Sequence, residues 1–224
     1  MLIVFAEGCG LERAYRRRGC ATSMGASSSN AIAMKLLTLR YAALALCPFV
    51  PGLALADWAI EPSHTNVSFE VGHLGLTQTP GVFRKFESTI RFDDQDIEHS
   101  QITLSIDTAS VDTYESTRDA ALRGPDWFDA AKYPKITFAS RSVKQVDATH
   151  FAIAGDLTVH GKTMPVTFDA RLTNRIVNPF LKVPAVGFVA TAHVDRTAFG
   201  MTQYLPVVSG DVTLKIQVEL NKLP

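Results

Sequence analysis

Apolar and polar residues alternate along much of the chain from residue 58 onward. The clearest example is the segment 212–220, in which Val, Leu, Ile, Val and Leu occupy every second position and polar residues lie between them. A period of two places one face of a strand in a core and the other in water, which is typical of antiparallel sheets. This pattern predicts eight strands, near residues 67–71, 85–92, 102–106, 136–142, 151–159, 166–172, 186–195 and 212–220.

One segment interrupts the alternation. Residues 116–132 read STRDAALRGPDWFDAAK, with alanine and charged residues at helical spacing and Gly124-Pro125 in the middle. Proline disfavours helical conformation in the residue before it, so Tyr133-Pro134 ends the segment. The spacing predicts two short helices or turns here, inserted into a chain that otherwise forms strands.

About eight antiparallel strands with one short helical insertion predict an all-β barrel or sandwich. A barrel also removes the sheet edges that invite aggregation. Short strands and acidic turns favour a barrel whose apolar face points inward over a membrane barrel, whose apolar face points outward. The alternation does not tell whether that inner face fills itself or surrounds a cavity, since an eight-stranded barrel can do either.

The first 56 residues are typical of a targeting segment rather than of a folded domain. Residues 34–56 combine Lys35 and Arg40, an apolar run and the sequence Ala54-Leu55-Ala56, which together predict a cleavable secretory signal and a mature protein that begins at Asp57. Residues 1–33 do not fit a signal peptide, and we interpret them as a misassigned upstream start. The remaining domain, 57–224, is expected to be exported.

Charge and cysteine content exclude several classes of function for that domain. Its 16 basic and 20 acidic residues give a net charge of −4, whereas nucleic-acid binding needs clustered lysine and arginine. Cys9, Cys20 and Cys47 all precede residue 57. The domain therefore has no disulfide, no thiolate nucleophile and no cysteine metal ligand.

No motif for catalysis or metal binding stands out. The six histidines do not lie at short metal-ligand spacings from one another. Ser63 and His64 would point to opposite faces of a strand, which argues against a catalytic pair. The neighbours Arg118-Asp119 and Asp195-Arg196 are interpreted as structural ion pairs. The sequence therefore predicts no catalytic residue and no metal site.

Several motifs, taken together and in order, resemble the YceI-like family across 57–223. Thr65 and Thr197 stand where serine is usual in that family, and both keep the hydroxyl. The matching segments are WAIEPSH (58–64), VSFEVGHLG (67–75), GVFRKF (81–86), SVDT (110–113), RD (118–119), DWFD (126–129), KYPKITF (132–138), GDLTVHGKTMPV (155–166), VGF (186–188) and RTAFGM (196–201).

The resemblance implies a lipocalin-like extended β-barrel in the periplasm with no catalytic residues. It also implies that a long isoprenoid lipid, either a polyprenyl chain or the tail of a quinone, lies in an apolar tunnel. That lipid would be a ligand, and no cofactor is expected. The family has links to stress response and to isoprenoid transport and storage.

Two features suggest which side chains line the tunnel: the positions on each strand whose side chains point inward, and the two large aromatic residues on the insertion. We expect the insertion 116–132 to lie near the tunnel mouth. The predicted lining residues are Phe69, Phe86, Leu104, Trp127, Phe128, Phe138, Phe168 and Phe188.

Partners and alternatives stay open at this point. Besides the isoprenoid, a transient contact with a membrane or a membrane electron carrier is conceivable, and so is a homodimer. One alternative is a structural or partner-binding stress-response barrel with a solid core. Another is an enzyme that acts on a lipid or quinone.

Overall fold

The computed structural model describes residues 58–223, which form eleven strands, one α-helix and three short 3-10 helices. The predicted start, signal peptide and cleavage site at 1–56 lie outside the described residues. The elements are β1 (Trp58–Ile60), β2 (Asn66–His73), β3 (Thr77–Phe83), β4 (Phe86–Arg91), β5 (Gln101–Asp107), β6 (Val111–Asp112), α1 (Ser116–Arg123), β7 (Lys135–Gln145), β8 (His150–Val159), β9 (Lys162–Val177), β10 (Pro184–Asp195) and β11 (Val208–Lys222), with 3-10 helices at Pro62–His64, Ile97–His99 and Thr108–Ser110.

The strands form a single antiparallel sheet that curls into a half-barrel. Its order is β4-β5-β7-β8-β9-β10-β11-β2-β3-β6, and β1 pairs with the second half of β11. The all-β antiparallel prediction is confirmed, and each of the eight predicted strands is present. The additional strands are β1, β3 and β6. Two of these are too short to show alternation, and β3 contains Pro80 and Gly81, which read as loop residues.

Side chains rather than backbone hydrogen bonds join β1 to the end of β4. The indole of Trp58 meets the ring of Phe92 edge to face, with centroids 5.1 Å apart, and Val186 and Leu220 pack against them. We call this the Trp58 end of the barrel. An ion pair between Lys222 Nζ and Asp94 Oδ2, 3.0 Å apart, spans the same seam, and its hydrogen bond lowers the pKa of Asp94.

The insertion contains one helix, followed by turns. The carboxylate of Glu115 caps α1 by accepting hydrogen bonds from the backbone N–H groups of Thr117 and Arg118. Gly124 ends the helix, and residues 125–132 continue as turns. The part of the barrel that carries this insertion and the loop 196–207 is called the insertion end.

Arg118 and Asp119 do not pair with each other, contrary to the sequence interpretation. Buried Asp119 accepts hydrogen bonds from the backbone N–H and the hydroxyl of Thr113, at 2.7 and 2.6 Å. Arg118 donates to the same hydroxyl and to the carbonyl of Thr113. Adjacent helical residues point in different directions, so each reaches Thr113 separately, and together they fasten α1 to the sheet.

None of the helical segments between residues 58 and 223 has the length and apolar character of a membrane span.

Candidate ligand-binding cavity

The concave side of the sheet encloses two apolar cavities, each with a volume of about 110 Å³. One lies toward the Trp58 end and the other toward the insertion end. The same five residues line both cavities, and we call the place where these side chains lie the waist. The waist residues are Val67, Leu104, Phe138, Phe168 and Ile216.

The strand register explains why these residues point to one place. Leu104 on β5 lies opposite Phe138 on β7, and Val67 on β2 lies opposite Ile216 on β11. Directly opposed residues of antiparallel strands share a face of the sheet. Five different strands thus contribute one waist residue each, and the curl of the sheet turns those side chains toward a common axis.

All eight residues predicted to line a tunnel lie on the walls of these cavities. Their contact with a lipid stays a prediction, but their common location is a property of the structure. Leu104, Phe138 and Phe168 are at the waist; Phe86 and Phe188 line the cavity toward the Trp58 end; and Phe69, Trp127 and Phe128 line the cavity toward the insertion end.

Sequence reasoning missed several aromatic wall residues. Phe92 and Phe151 line the cavity toward the Trp58 end, and Phe83 and Phe199 line the other. Phe151 shares its parity on β8 with Ile153, so the period-two pattern contains the signal that identifies it. Phe199 lies in a loop, where strand parity gives no information.

The aromatic rings meet at angles typical of edge-to-face packing. Phe138 and Phe168 face each other across the waist, with centroids 5.2 Å apart and an interplanar angle of 80°. Near the insertion end, Phe69, Phe83 and Phe128 form a triangle with centroid separations between 5.7 and 6.5 Å. These contacts hold the wall in shape without any polar bond.

A glycine makes room for one waist ring. A Cβ atom at Gly155 would lie 2.5 Å from Phe138 Cζ and would also collide with the carbonyl oxygen of Ala139. We expect Gly155→Ala to lower the free energy of unfolding by about 2–3 kcal/mol, because ring and backbone must both shift in a packed interior. Urea denaturation measures this change. Gly187→Ala is the matched control, since its new methyl would come closer than 4 Å to one group, the rotatable hydroxyl of Thr173, with the carbonyl oxygen of Val218 at 4.0 Å. Equal effects of the two substitutions would contradict the packing argument.

Few polar residues line the cavities, and Ser68 and Thr137, next to the waist, are two of them. Thr65, Ser88 and Ser100 contribute hydroxyls toward the Trp58 end. The Ser100 hydroxyl already accepts a hydrogen bond from the backbone N–H of Asp93 at 3.0 Å. At the other end, the charged lining residue is Arg196. The five waist residues themselves present only hydrocarbon and aromatic surface.

Arg196 is buried, and it binds backbone carbonyls instead of Asp195. Its guanidinium donates hydrogen bonds to the carbonyl oxygens of Ser209, Gln203 and Val208 at 2.8–2.9 Å, and to that of Met201. The carboxylate of Asp195 instead accepts from the backbone N–H of Thr197, so the predicted ion pair between the neighbours is wrong. Burial lowers the pKa of Arg196, and Asp195 partly offsets that effect. The guanidinium still stays charged at neutral pH.

An aromatic pair covers this arginine at the mouth. The ring of Trp127 lies 4.9 Å from the guanidinium carbon of Arg196, within the range of a cation–π contact. Trp127 also stacks on Tyr204, with centroids 6.2 Å apart and planes 16° apart. The insertion and the loop 196–207 are thus in contact at the insertion end, and the place of this end at the mouth of a tunnel stays a prediction.

Ser63 and His64 lie in a 3-10 helix, so the argument that placed them on opposite faces of a strand is wrong. Pro62 opens this helix and the Glu61 side chain caps it. The Ser63 hydroxyl approaches His64 Nδ1 at 3.3 Å and donates to Glu61 Oε1 at 2.6 Å. All three lie on the outer surface rather than on a cavity wall. Across residues 58–223, no three histidine, cysteine, aspartate or glutamate side chains gather in a metal-binding arrangement.

Curated proteins with similar sequences carry the same family name. The chain is 38% identical over 187 residues to the protein YceI of Escherichia coli O157:H7, which covers 82% of this chain and 95% of that protein. It is 36% identical over 179 residues to the protein YceI of Salmonella arizonae, with coverages of 79% and 93%.

Solved structures share the fold. A YceI protein of Campylobacter jejuni matches with a TM-score of 0.62 at 28% identity, covering 75% of this chain and 99% of its own. BcnA of Burkholderia cenocepacia matches with a TM-score of 0.65 at 24% identity. A domain of Saccharophagus degradans described as polyisoprenoid-binding matches with a TM-score of 0.54 at 13% identity, with coverages of 75% and 99%. The family model of the YceI-like domain matches residues 58–220, so the chain belongs to the YceI-like family.

Proposed function

We propose that the protein binds and carries a long-chain isoprenoid lipid, either a polyprenyl chain or the tail of a quinone, in the two neighbouring cavities. The observation that carries this proposal is the waist, where five apolar residues from five strands line both cavities. A passage of this kind suits one long, flexible apolar chain. Precise polar recognition is not needed along its length.

The physical chemistry of the walls supports an apolar occupant. A water needs a cavity of at least about 10–15 Å³ and two to four polar partners, so the space is sufficient but the partners are lacking at the waist. Burial of hydrocarbon contributes about 0.8 kcal/mol per methylene group. Each five-carbon unit withdrawn from water therefore adds several kcal/mol, and edge-to-face rings supply the apolar contact surface.

Membership of the family fits the same proposal. The polyisoprenoid-binding description belongs to the Saccharophagus degradans domain, which shares the fold with this chain. The YceI-like resemblance also implies a binding protein without catalytic residues. We extend both implications to this chain as a non-enzymatic carrier with links to stress response.

The proposed location is the periplasm, reached through the signal at 34–56 with cleavage before Asp57. A carrier there would exchange its lipid with a membrane or with a membrane electron carrier, since isoprenoids are membrane constituents. The proposed carrier function is compatible with either a monomer or a homodimer.

Native mass spectrometry of protein produced from the full chain and purified from the periplasmic fraction tests the proposal. We expect one polyprenyl or quinone mass per protein molecule, identified after organic extraction. The same spectrum gives the protein mass, which should correspond to a chain beginning at Asp57. A different mature terminus would contradict the predicted cleavage but not the lipid.

Other outcomes discriminate between the alternatives. A ligand-free mass that persists when isoprenoids are added would favour the solid-core, partner-binding barrel. Conversion of an added lipid or quinone into a product of different mass would favour an enzyme.

A further inference from the structure

Five large apolar side chains are exposed together at the insertion end, and we call them the rim patch. They belong to the turn between β2 and β3 and to the loop that precedes β11. Leu76 is 79% exposed and Tyr204 is 67% exposed, which is unusual for side chains of this size. The rim patch consists of Leu74, Leu76, Tyr204, Leu205 and Val207.

The two segments of the rim patch are fastened to each other. The backbone N–H of Leu74 donates to the carbonyl of Val207 at 2.7 Å, and His73 pairs with Val208 at the end of the ladder. Tyr204 stacks on Trp127, whose indole also lines the cavity toward the insertion end. The rim patch is therefore a single surface that is continuous with the wall of the apolar cavity.

The rim patch lies on stretches without charged residues. Residues 74–83 and 197–210 contain no Asp, Glu, Lys or Arg, although these residues make up 20% of the chain. The neighbouring Arg196 is buried beneath the loop and bound to its carbonyls. The residues of these loop tips therefore bring no charge of their own into the interfacial layer of a bilayer, and desolvation of charge is the main cost of inserting polar loops into lipid.

The composition and shape favour a membrane over a protein partner. Protein interfaces usually surround their apolar centre with a polar rim, whereas the rim patch ends in uncharged loop tips. Tyrosine and tryptophan beside leucine are typical of the interfacial layer of membranes.

A second exposed apolar group, around Phe180 and Leu181, lies on the β9–β10 hairpin at the Trp58 end, next to Lys182.

We propose that the rim patch docks the protein on the surface of a lipid bilayer and aligns the mouth of the cavity with that surface. The inference rests on the proposed function, because a carrier must take its lipid from a membrane. Docking would let the apolar chain pass from bilayer to cavity beside Trp127 with little exposure to water. Because the loop tips are uncharged, the attraction does not depend on anionic lipids.

Flotation with vesicles of pure phosphatidylcholine tests the docking surface. We expect wild-type protein to bind these vesicles equally at low and high salt. The double variant Leu76→Ser/Leu205→Ser should bind at least about tenfold more weakly, because two exposed apolar anchors are lost. The matched control is Phe180→Ser/Leu181→Ser, which removes two exposed apolar residues at the opposite end and should bind like wild type.

Delivery of the lipid in two forms separates this inference from the proposed function. A polyprenol supplied in detergent micelles should load wild type and both double variants equally, since neither pair lines the cavity. The same polyprenol supplied in vesicles should load the Leu76/Leu205 variant at least about tenfold more slowly.

Each contrary result has a distinct meaning. Failure of wild type to load from micelles would overturn the proposed function. Normal loading from micelles with no vesicle binding, or equal binding by the Leu76/Leu205 variant, would overturn the docking surface alone. Binding that requires anionic lipid or disappears in salt would also overturn it, as would weaker binding of the Phe180/Leu181 variant alone.

Discussion

Phe168→Lys should abolish retention of lipid by the protein. Phe168 is 3% exposed at the waist, and its ring packs edge to face on Phe138. A lysine there must either bring a charge into the apolar passage or give up its proton. Neutralising a lysine of ordinary pKa near 10.4 at pH 7 costs about 5 kcal/mol, and an isoprenoid cannot solvate the ammonium group. Native mass spectrometry of the purified variant should show no lipid.

A matched control separates this effect from a general effect of charge. Thr167→Lys places the same side chain one residue earlier on β9, where it points outward and is exposed, and should leave both lipid and stability nearly unchanged. Phe168→Leu keeps the waist apolar and should retain lipid. A folded Phe168→Lys protein that still carries stoichiometric lipid would contradict the lining hypothesis.

A second lysine variant, at a less buried wall position, keeps the lining hypothesis testable if the Phe168→Lys protein does not fold. Phe188 is only partly buried on the wall toward the Trp58 end, so a lysine there is expected to cost less stability. We expect Phe188→Lys to lower the lipid content while circular dichroism stays native. Full lipid content in that variant would count against a ligand path through the Trp58 end.

Most of the sheet could be predicted because burial of one face imposes a period of two on long strands. β9 keeps this period over most of its buried part, whereas in β7 a bulge between Ser140 and Ser142 changes the parity of the buried residues. β1 and β6 have three and two residues, and they exist because β11 and β3 pair with them. Such strands are imposed by tertiary pairing, so local sequence carries no signal for them.

The alternation of apolar and polar residues predicts which side chains line the cavity walls, but it does not predict that a cavity exists. Alternation places Phe69, Phe138 and Phe168 on the inner face, yet the same pattern would serve a filled core. The open space depends on the curl of the sheet and on ring orientations, for instance where Gly155 leaves room for Phe138. Only three-dimensional packing determines whether side chains meet at the axis.

The mouth was the least predictable part of the molecule. Arg196 was interpreted as the partner of Asp195, because adjacent opposite charges suggest an ion pair. Its actual partners are carbonyls of the loop that follows it and of the first two residues of β11, up to 13 residues along the chain. Loop backbone leaves no pattern in the sequence, and so neither this cluster nor the rim patch beside it could be found before the structure.

Arg196→Lys should destabilise the protein almost as much as the loss of the whole side chain, despite keeping the charge. The guanidinium donates in one plane to four carbonyls, those of Met201, Gln203, Val208 and Ser209. A lysine ammonium is a compact donor on a flexible stem and cannot reach all four. Buried carbonyls left without a donor each carry a desolvation cost. We expect a loss of about 3–5 kcal/mol in the free energy of unfolding, measured by urea denaturation.

The change should be local as well as global, because two of these carbonyls belong to the loop 196–207 and the other two to the first residues of β11. Hydrogen–deuterium exchange should show faster exchange in 197–208 than elsewhere in the barrel. Trp127 would also lose the planar guanidinium against its ring, and bound lipid should dissociate faster through the loosened insertion end. The dissociation rate can be followed by transfer of a labelled polyprenol to excess empty vesicles.

Arg84→Lys provides the comparison, since Arg84 is an exposed arginine whose Nε donates to Asp112 Oδ2 at 2.9 Å. An exposed ion pair of this kind contributes about 0–1 kcal/mol, so this variant should melt and release lipid like wild type. If Arg196→Lys also stayed within about 1 kcal/mol of wild type, with 197–208 still protected from exchange, the planar four-carbonyl clamp would not be what holds the mouth. The stacking of Trp127 on Tyr204 would then be the contact that closes it.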